Sequence, residues 1–168
     1  AEAVAQPRRI PAFRTLEAML AGVDCDLVAI CTPSGLHPAH GILAAKAGKH
    51  VVSEKPMATR LEDADALVQA CDEAGVHLFV VKQNRYNVPV LKLREAVVAG
   101  RFGKLVMGTV RVRWCRRQDY YDQDTWRGTW ADDGGVFSNQ ASHHVDLLQW
   151  MMGPVQSVQA YSATLAHQ

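Results

Sequence analysis

Long hydrophobic runs are missing from this sequence. Stretches such as Leu27 to Cys31 and Leu78 to Val81 fall far short of the roughly 18 apolar residues that cross a bilayer. A membrane-spanning helix is not expected. An excess of one charge is missing too: 18 Lys plus Arg stand against 17 Asp plus Glu, for a formal net charge of +1. No broad field draws such a chain to nucleic acid or to an anionic membrane, and neither partner is expected. Cysteine is sparse, and Cys25, Cys31, Cys71 and Cys115 include no CxxC pair. Such thiols pack as small hydrophobes, whereas zinc sites carry closer ligand spacings. A reducing, cytoplasmic setting is the expectation. Residues Ala1 to Arg9 hold two arginines with no apolar segment behind them, so the start does not read as a secretory signal. The chain also has no glycine-rich turn near its start, no internal repeat and no low-complexity tract.

What is present has globular proportions. At 168 residues, with 48% hydrophobic and 21% charged, the chain is too apolar for a disordered tail and long enough for one well-buried core. Its first half alternates short apolar runs with helix-patterned stretches, the signature of βαβ units and a parallel sheet. Asp26 to Pro33, His50 to Pro56 and His77 to Asn84 are the expected strands, each Val-rich and ending in polar residues. Pro38 and Gly48 bracket a helix over His37 to Ala47. Thr59 with Glu62 reads as a capping box for a second helix, which Gly75 stops. Pro89 and Gly100 bracket a third, Asn87 to Ala99.

From Lys104 the period changes. Val106, Val110, Val112 and Trp114 alternate with polar or mixed neighbours, a strand pattern, and Val155 to Leu165 alternates more loosely. Between them lie an aromatic loop, Asp119 to Trp130, and a helix from about His143 to Met152. The expected fold class is α/β: a partial Rossmann-type parallel sheet followed by part of an α+β domain with a largely antiparallel sheet. The expected division is 1–100 and 101–168, with the boundary near Gly100 to Gly103.

Three constellations can carry chemistry. Thr32-Pro33-Ser34-Gly35-Leu36-His37 joins a strand end to a helix start, where free backbone N–H groups and the helix dipole favour an anion such as a phosphate; an ordinary βα turn capped by Thr32 and Ser34 fits equally. Glu54-Lys55-Pro56 also ends a strand, and proline biases Lys55 toward extended geometry, so it continues the strand into the crevice. Lys55 can hold a hydroxyl and stabilise developing negative charge, or it is a surface lysine beside a glutamate. Asn139 to Asp146 enters the last helix, with Ser142 as a natural N-cap and His143, Asp146, Leu147 and Trp150 on one face. A first-turn histidine meets the positive end of the dipole, which favours the neutral base, and Asp146 can orient it. A packed histidine satisfied by Asp146 is the alternative, and His144 points elsewhere as a structural residue. No metal is expected, because His37, His40, His143 and Asp146 lack the spacing of a metal motif. The aromatic stretch Tyr120, Tyr121, Trp126, Arg127 and Trp130 can stack on a ring and grip a phosphate, or pack as a loop or interface.

Taken in order, TPSGLH, SEKP and the later GG-x3-NQASHHVD block resemble the glucose-fructose oxidoreductase/inositol dehydrogenase (Gfo/Idh/MocA) family of nicotinamide-dependent sugar dehydrogenases. The resemblance runs through nearly the whole chain. The segments SEKPMATR, HLFVVKQNRYN, DYYDQDTWRGTW and VFSNQASHHVDLLQW look most like members that oxidise the 3-hydroxyl of UDP-N-acetylglucosaminuronic acid in surface-polysaccharide (lipopolysaccharide) synthesis. The resemblance implies an NAD cofactor, with NADP left open, lined by Thr32, Pro33, Ser34, Leu36, His37, Glu54, Lys55, Trp126 and Arg127. It implies Lys55 and His143 as the catalytic pair. It implies Lys55, Gln83, Arg85, Tyr86, Asn139 and His143 facing a nucleotide-sugar substrate, and a homo-oligomer formed through the second domain's sheet.

Two departures bear on this. Many relatives carry an aspartate four residues before the histidine, where Asn139 stands here; an amide binds a hydroxyl but cannot share a proton, which moves the base role onto His143 and Lys55. The family's opening strand and GxGxxG turn do not occur in this chain, so the expectation is a portion of a longer enzyme. A non-catalytic portion or assembly module, a dehydrogenase of another sugar or inositol, and a hydrolase or lyase on a related scaffold are the alternatives.

Overall fold

A computed structural model of the chain describes residues 2–165. In chain order it contains α1 (Glu2–Ala5), α2 (Leu16–Gly22), β1 (Leu27–Ile30), α3 (His37–Lys46), β2 (His50–Ser53), α4 (Leu61–Ala74), β3 (Leu78–Val80), α5 (Val88–Val98), α6 (Gln118–Tyr121), α7 (Gly135–Ser138) and α8 (Ser142–Met152), with 3-10 turns at Gln6–Arg8, Ser34–Leu36 and Gln83–Tyr86. The chain divides into two compact units, one ending at Val81 and the other beginning at Lys82.

In the first unit α3 and α4 serve as crossovers between parallel strands, in the order β1-β2-β3. Val28 sits opposite Val51, and Val51 opposite Leu78. The strands are shorter than their apolar runs suggested, because the polar tails leave the ladder. Past β2 one bond persists, from Glu54 N–H to the Ile30 carbonyl at 3.0 Å, and the Lys55–Pro56 peptide beyond it is cis. Lys55 lies in a bend just after the ladder ends rather than in the strand. Val28, Ile30, Ala44, Ala45, Val51, Leu67 and Cys71 form the core. α3 approaches it through small residues: a Cβ on Gly41 would stand 2.6 Å from Leu67 Cδ1.

Helix boundaries follow local chemistry with one exception. Thr15 caps α2 by accepting the Ala18 N–H. Gly75, at φ 65°, ends α4 in the left-handed conformation that spares a glycine the Cβ clash. α4 begins at Leu61 with Arg60 at the cap position, one residue after the Thr59 cap expected, and Arg60 pairs with Glu62 at 3.5 Å.

The second unit departs from expectation. No strand occurs at residues 104–114 or 155–165, and the antiparallel sheet is absent among the described residues. A strand exists through ladder bonds to a neighbour, and the backbone of 104–116 makes none to other described backbone groups. The alternation survives as packing: a Cβ on Gly108 would lie within 3.0 Å of Leu148 and Met152, and Trp114 meets His144 edge-on at 5.3 Å. The stretch thus runs along one face of α8. The boundary expected near Gly100 to Gly103 falls inside this unit, because α5 packs with it: Arg94 donates to the Trp150 carbonyl at 2.6 Å. The outer ends of the expected domains, Ala1 and residues 166–168, lie outside the described residues.

Candidate functional site

In the first unit the expected residues gather at the carboxyl edge of the sheet. The segment after β1 makes a 3-10 turn over Ser34–Leu36, closed by Leu36 N–H on the Pro33 carbonyl at 2.9 Å, and runs directly into α3. The turn leaves Thr32 and Leu36 exposed, Pro33 half-buried and Ser34 buried. Thr32 Oγ1 lies 3.1 Å from His40 Nδ1. After β2, Ser53 Oγ donates to the Glu54 carbonyl and the Lys55 N–H to Glu54 Oε2, leaving both Glu54 and Lys55 half-buried at the same edge. The positive end of α3, the Thr32 hydroxyl and the Lys55 ammonium make a donor set suited to an anionic or hydroxyl-bearing ligand. His37 differs from its expected place. Its ring is 1% exposed and bonded to two backbone carbonyls, so it braces this edge from beneath and does not line a ligand surface.

In the second unit the face of α8 singled out by spacing meets the turn Gln83–Tyr86 and α5. Gln83 Nε2 lies 3.5 Å from His143 Nε2. Arg85 grips Asp146 with both arms of its fork, Nε to Oδ2 at 2.8 Å and Nη2 to Oδ1 at 2.6 Å. Trp150 lies against the guanidinium groups of Arg85 and Arg94, at 5.0 and 5.2 Å from the ring centroid. The Asp146 hydrogen bond pushes the Arg85 guanidinium further up from its already high range, against the opposing effect of burial. Asp146 is thus committed to Arg85, and Gln83 stands at the imidazole. Arg85, expected to face a substrate, serves here as a strap between the turn and α8. Tyr86 is 77% exposed and His143 only 7%. Ser142 is the first residue of α8, its Oγ donating to the Asn139 carbonyl rather than capping the helix.

The aromatic loop forms a second cluster. Arg127 donates from Nε to Asp124 and from Nη1 to Tyr120 Oη, and stacks on both Tyr120 and Trp126. These contacts fix the plane of its guanidinium. Tyr120 Oη also accepts the Gln140 amide at 2.9 Å. Asp133, which no spacing argument singled out, is buried and accepts the Gly128 N–H at 2.7 Å and the Asn139 side-chain amide. A carboxylate only accepts, so the Asn139 NH2 faces Asp133 and the amide orientation follows. Asp133 therefore brings an acid directly beside Asn139. The signal that could have found it is its place directly before the glycine pair Gly134-Gly135. Burial first, then the Asp133 charge, push the Tyr121 phenol above its ordinary range.

Two family models match the chain: "Oxidoreductase family, NAD-binding Rossmann fold" over residues 1–82 and "GFO/IDH/MocA C-terminal domain" over residues 90–168. Among solved structures, the WlbA dehydrogenase from Bordetella pertussis in complex with NADH and UDP-GlcNAcA is similar with a TM-score of 0.96 and 55% identity, over 99% of this chain and 52% of that one. The WlbA dehydrogenase from Chromobacterium violaceum, also with NADH and UDP-GlcNAcA, is similar with a TM-score of 0.96 and 53% identity, over 99% of this chain and 48% of that one. Inositol 2-dehydrogenase of Rhizobium meliloti is 30% identical over 90% of this chain and 44% of its own length. The chain spans about half the length of these solved relatives.

Proposed function

The chain belongs to the Gfo/Idh/MocA family of NAD-binding oxidoreductases, and on that premise we propose that it is part of an enzyme oxidising the 3-hydroxyl of UDP-N-acetylglucosaminuronic acid. The supporting observation is the likeness, along nearly the whole chain, to two dehydrogenases that hold NADH and that nucleotide sugar. The proposed setting is surface-polysaccharide synthesis in the cytoplasm. The proposed assembly is a homo-oligomer formed through a second-domain sheet to which the alternating segments 104–114 and 155–165 contribute.

The residues present fit an NAD cofactor, with NADP left open. The positive end of α3, Thr32 and Lys55 offer donors at the carboxyl edge of a parallel sheet, where such ligands bind. We assign Thr32, Pro33, Ser34, Leu36, Glu54 and Lys55 to it in the first unit, and Trp126 and Arg127 in the second. When bound, the nicotinamide supplies the acceptor for the hydrogen leaving the sugar carbon as hydride. His143 takes the hydroxyl proton on Nε2, the nitrogen facing the Gln83 amide, so a substrate hydroxyl replaces Gln83 at the same lone pair. Lys55 donates to the hydroxyl oxygen and stabilises the negative charge that grows there as the carbonyl forms. Asn139, its NH2 held by Asp133, Gln83 and the exposed Tyr86 are assigned to binding the sugar nucleotide.

The test is turnover of NAD and UDP-N-acetylglucosaminuronic acid, followed by the absorbance of reduced nicotinamide. Lys55→Ala and His143→Ala are each expected to lower kcat by about 100- to 10,000-fold, with cofactor affinity largely kept in His143→Ala. Near-normal turnover in both variants would sink the assignment.

A further inference from the structure

We infer that His37 is a positioning residue: a buried imidazolium that ties the loop after β1 to the loop after β2, and so holds the backbone from which Lys55 projects. His37 Nδ1 lies 2.7 Å from the Pro56 carbonyl oxygen and Nε2 lies 2.8 Å from the Thr32 carbonyl oxygen. A carbonyl oxygen only accepts, so each bond needs an N–H on the ring. A neutral imidazole has one. Its other nitrogen would present a lone pair to a carbonyl oxygen at contact distance, in a place where only 1% of the residue reaches solvent. The two bonds coexist when both nitrogens carry protons, and both are then charge-assisted.

The charged surroundings leave the two carbonyl groups as the contacts that hold that proton. His37 opens α3, whose positive end opposes a cation. Lys55, adjacent to Pro56, adds a second positive charge on the loop that His37 grips. Glu54 is the acid on that loop, and its Oε2 accepts the Lys55 N–H at 3.2 Å. From α3 itself His40 faces the other loop, with Nδ1 3.1 Å from Thr32 Oγ1. The two carbonyl groups are thus the contacts that compensate the buried charge, and losing either one leaves a polar group buried without its bond. The clamp spans neighbouring strand ends beyond β1 and β2. Past those strands the ladder continues in one bond, Glu54 N–H to the Ile30 carbonyl, so the ring is a second tie between the two loops.

What the clamp serves rests on the dehydrogenase reading, since both loops it joins are assigned there to the cofactor. Its chemistry does not, and the two can fail separately. In the 15N-labelled chain, long-range proton–nitrogen correlation of the His37 ring, assigned in the wild type, is expected to show protons on both ring nitrogens in the folded protein. One bare ring nitrogen overturns the imidazolium clamp even if the enzyme oxidises its sugar. Two protonated nitrogens in a protein that never turns over the sugar support the clamp and reject the dehydrogenase assignment. In the active enzyme, His37→Gln keeps a single donor group. It is expected to raise KM for NAD and lower kcat together, by on the order of 10- to 100-fold, because both loops shift. Unchanged kcat and KM in a folded His37→Gln enzyme would overturn the positioning role.

Discussion

At the scale of single residues, the sequence placed side chains on their own elements better than it placed the partners they meet. Helical spacing put His143, Asp146 and Trp150 on one face, and they share it, but spacing within one helix says nothing of what lies across from it. Asp146 meets Arg85, brought by a turn sixty-one residues earlier in the chain. The Asp146 side chain is 10% exposed, so removing its partner leaves a poorly solvated carboxylate. Arg85→Ala is expected to cost about 1–3 kcal/mol, with Arg85→Lys losing less because it keeps the charge but not the fork; the urea midpoint at constant m-value is the measurement. Buried titratable groups add a pH dependence. Burial, and then the neighbouring Asp72 charge, push the Cys71 thiol up. Below the ordinary thiol range both folded and unfolded forms are protonated and the contribution is intact. As pH rises through that range the unfolded thiol ionises first, and stability falls toward the higher folded range. Thermal melts of wild type and Cys71→Ala between neutral and alkaline pH are expected to converge or cross as pH rises; parallel curves would contradict this.

At the scale of elements, those legible in the sequence are the ones with their own punctuation. Proline at the start and glycine at the end marked α3 and α5, and Gly75 the end of α4, to within a residue or two, since these residues act on the backbone locally. The start of α4 falls one residue beyond the cap expected at Thr59, within the usual spread of helix ends. Strand runs were overlong because apolar residues continue past the last ladder bond where the chain turns into the functional edge. Packing between elements turns on Gly41. A side chain there meets Leu67, which has no exposed surface into which to move. Gly41→Val is expected to destabilise the fold by about 1–3 kcal/mol through overpacking, read as a lowered urea midpoint; equal or greater stability would show that α3 and α4 can separate freely.

At the scale of the whole molecule, each unit presents its own balance. The first has a closed core under a parallel sheet, whereas the second carries large apolar side chains in the open, including Val106 at 87%, Tyr161 at 89% and Leu165 at 92% exposed. Apolar surface of this kind binds hydrophobic dyes. The chain is expected to raise the fluorescence of anilinonaphthalene sulfonate, and paired substitutions Val106→Lys and Val158→Lys to lower it; a native chain that leaves the dye dark would rule this out. The sequence by itself determined the parallel α/β class and the helices with their stops, because periodicity and punctuation act over a few neighbouring positions. Only the tertiary structure decided that Arg85 takes Asp146, that Asp133 stands beside Asn139, that His37 braces two loops from beneath, and that the alternating stretch after Lys104 lies along α8 without a strand to pair it. Each of these depends on a hydrogen bond or contact between segments far apart in the chain, and the register of such meetings is set by packing, which no local pattern encodes.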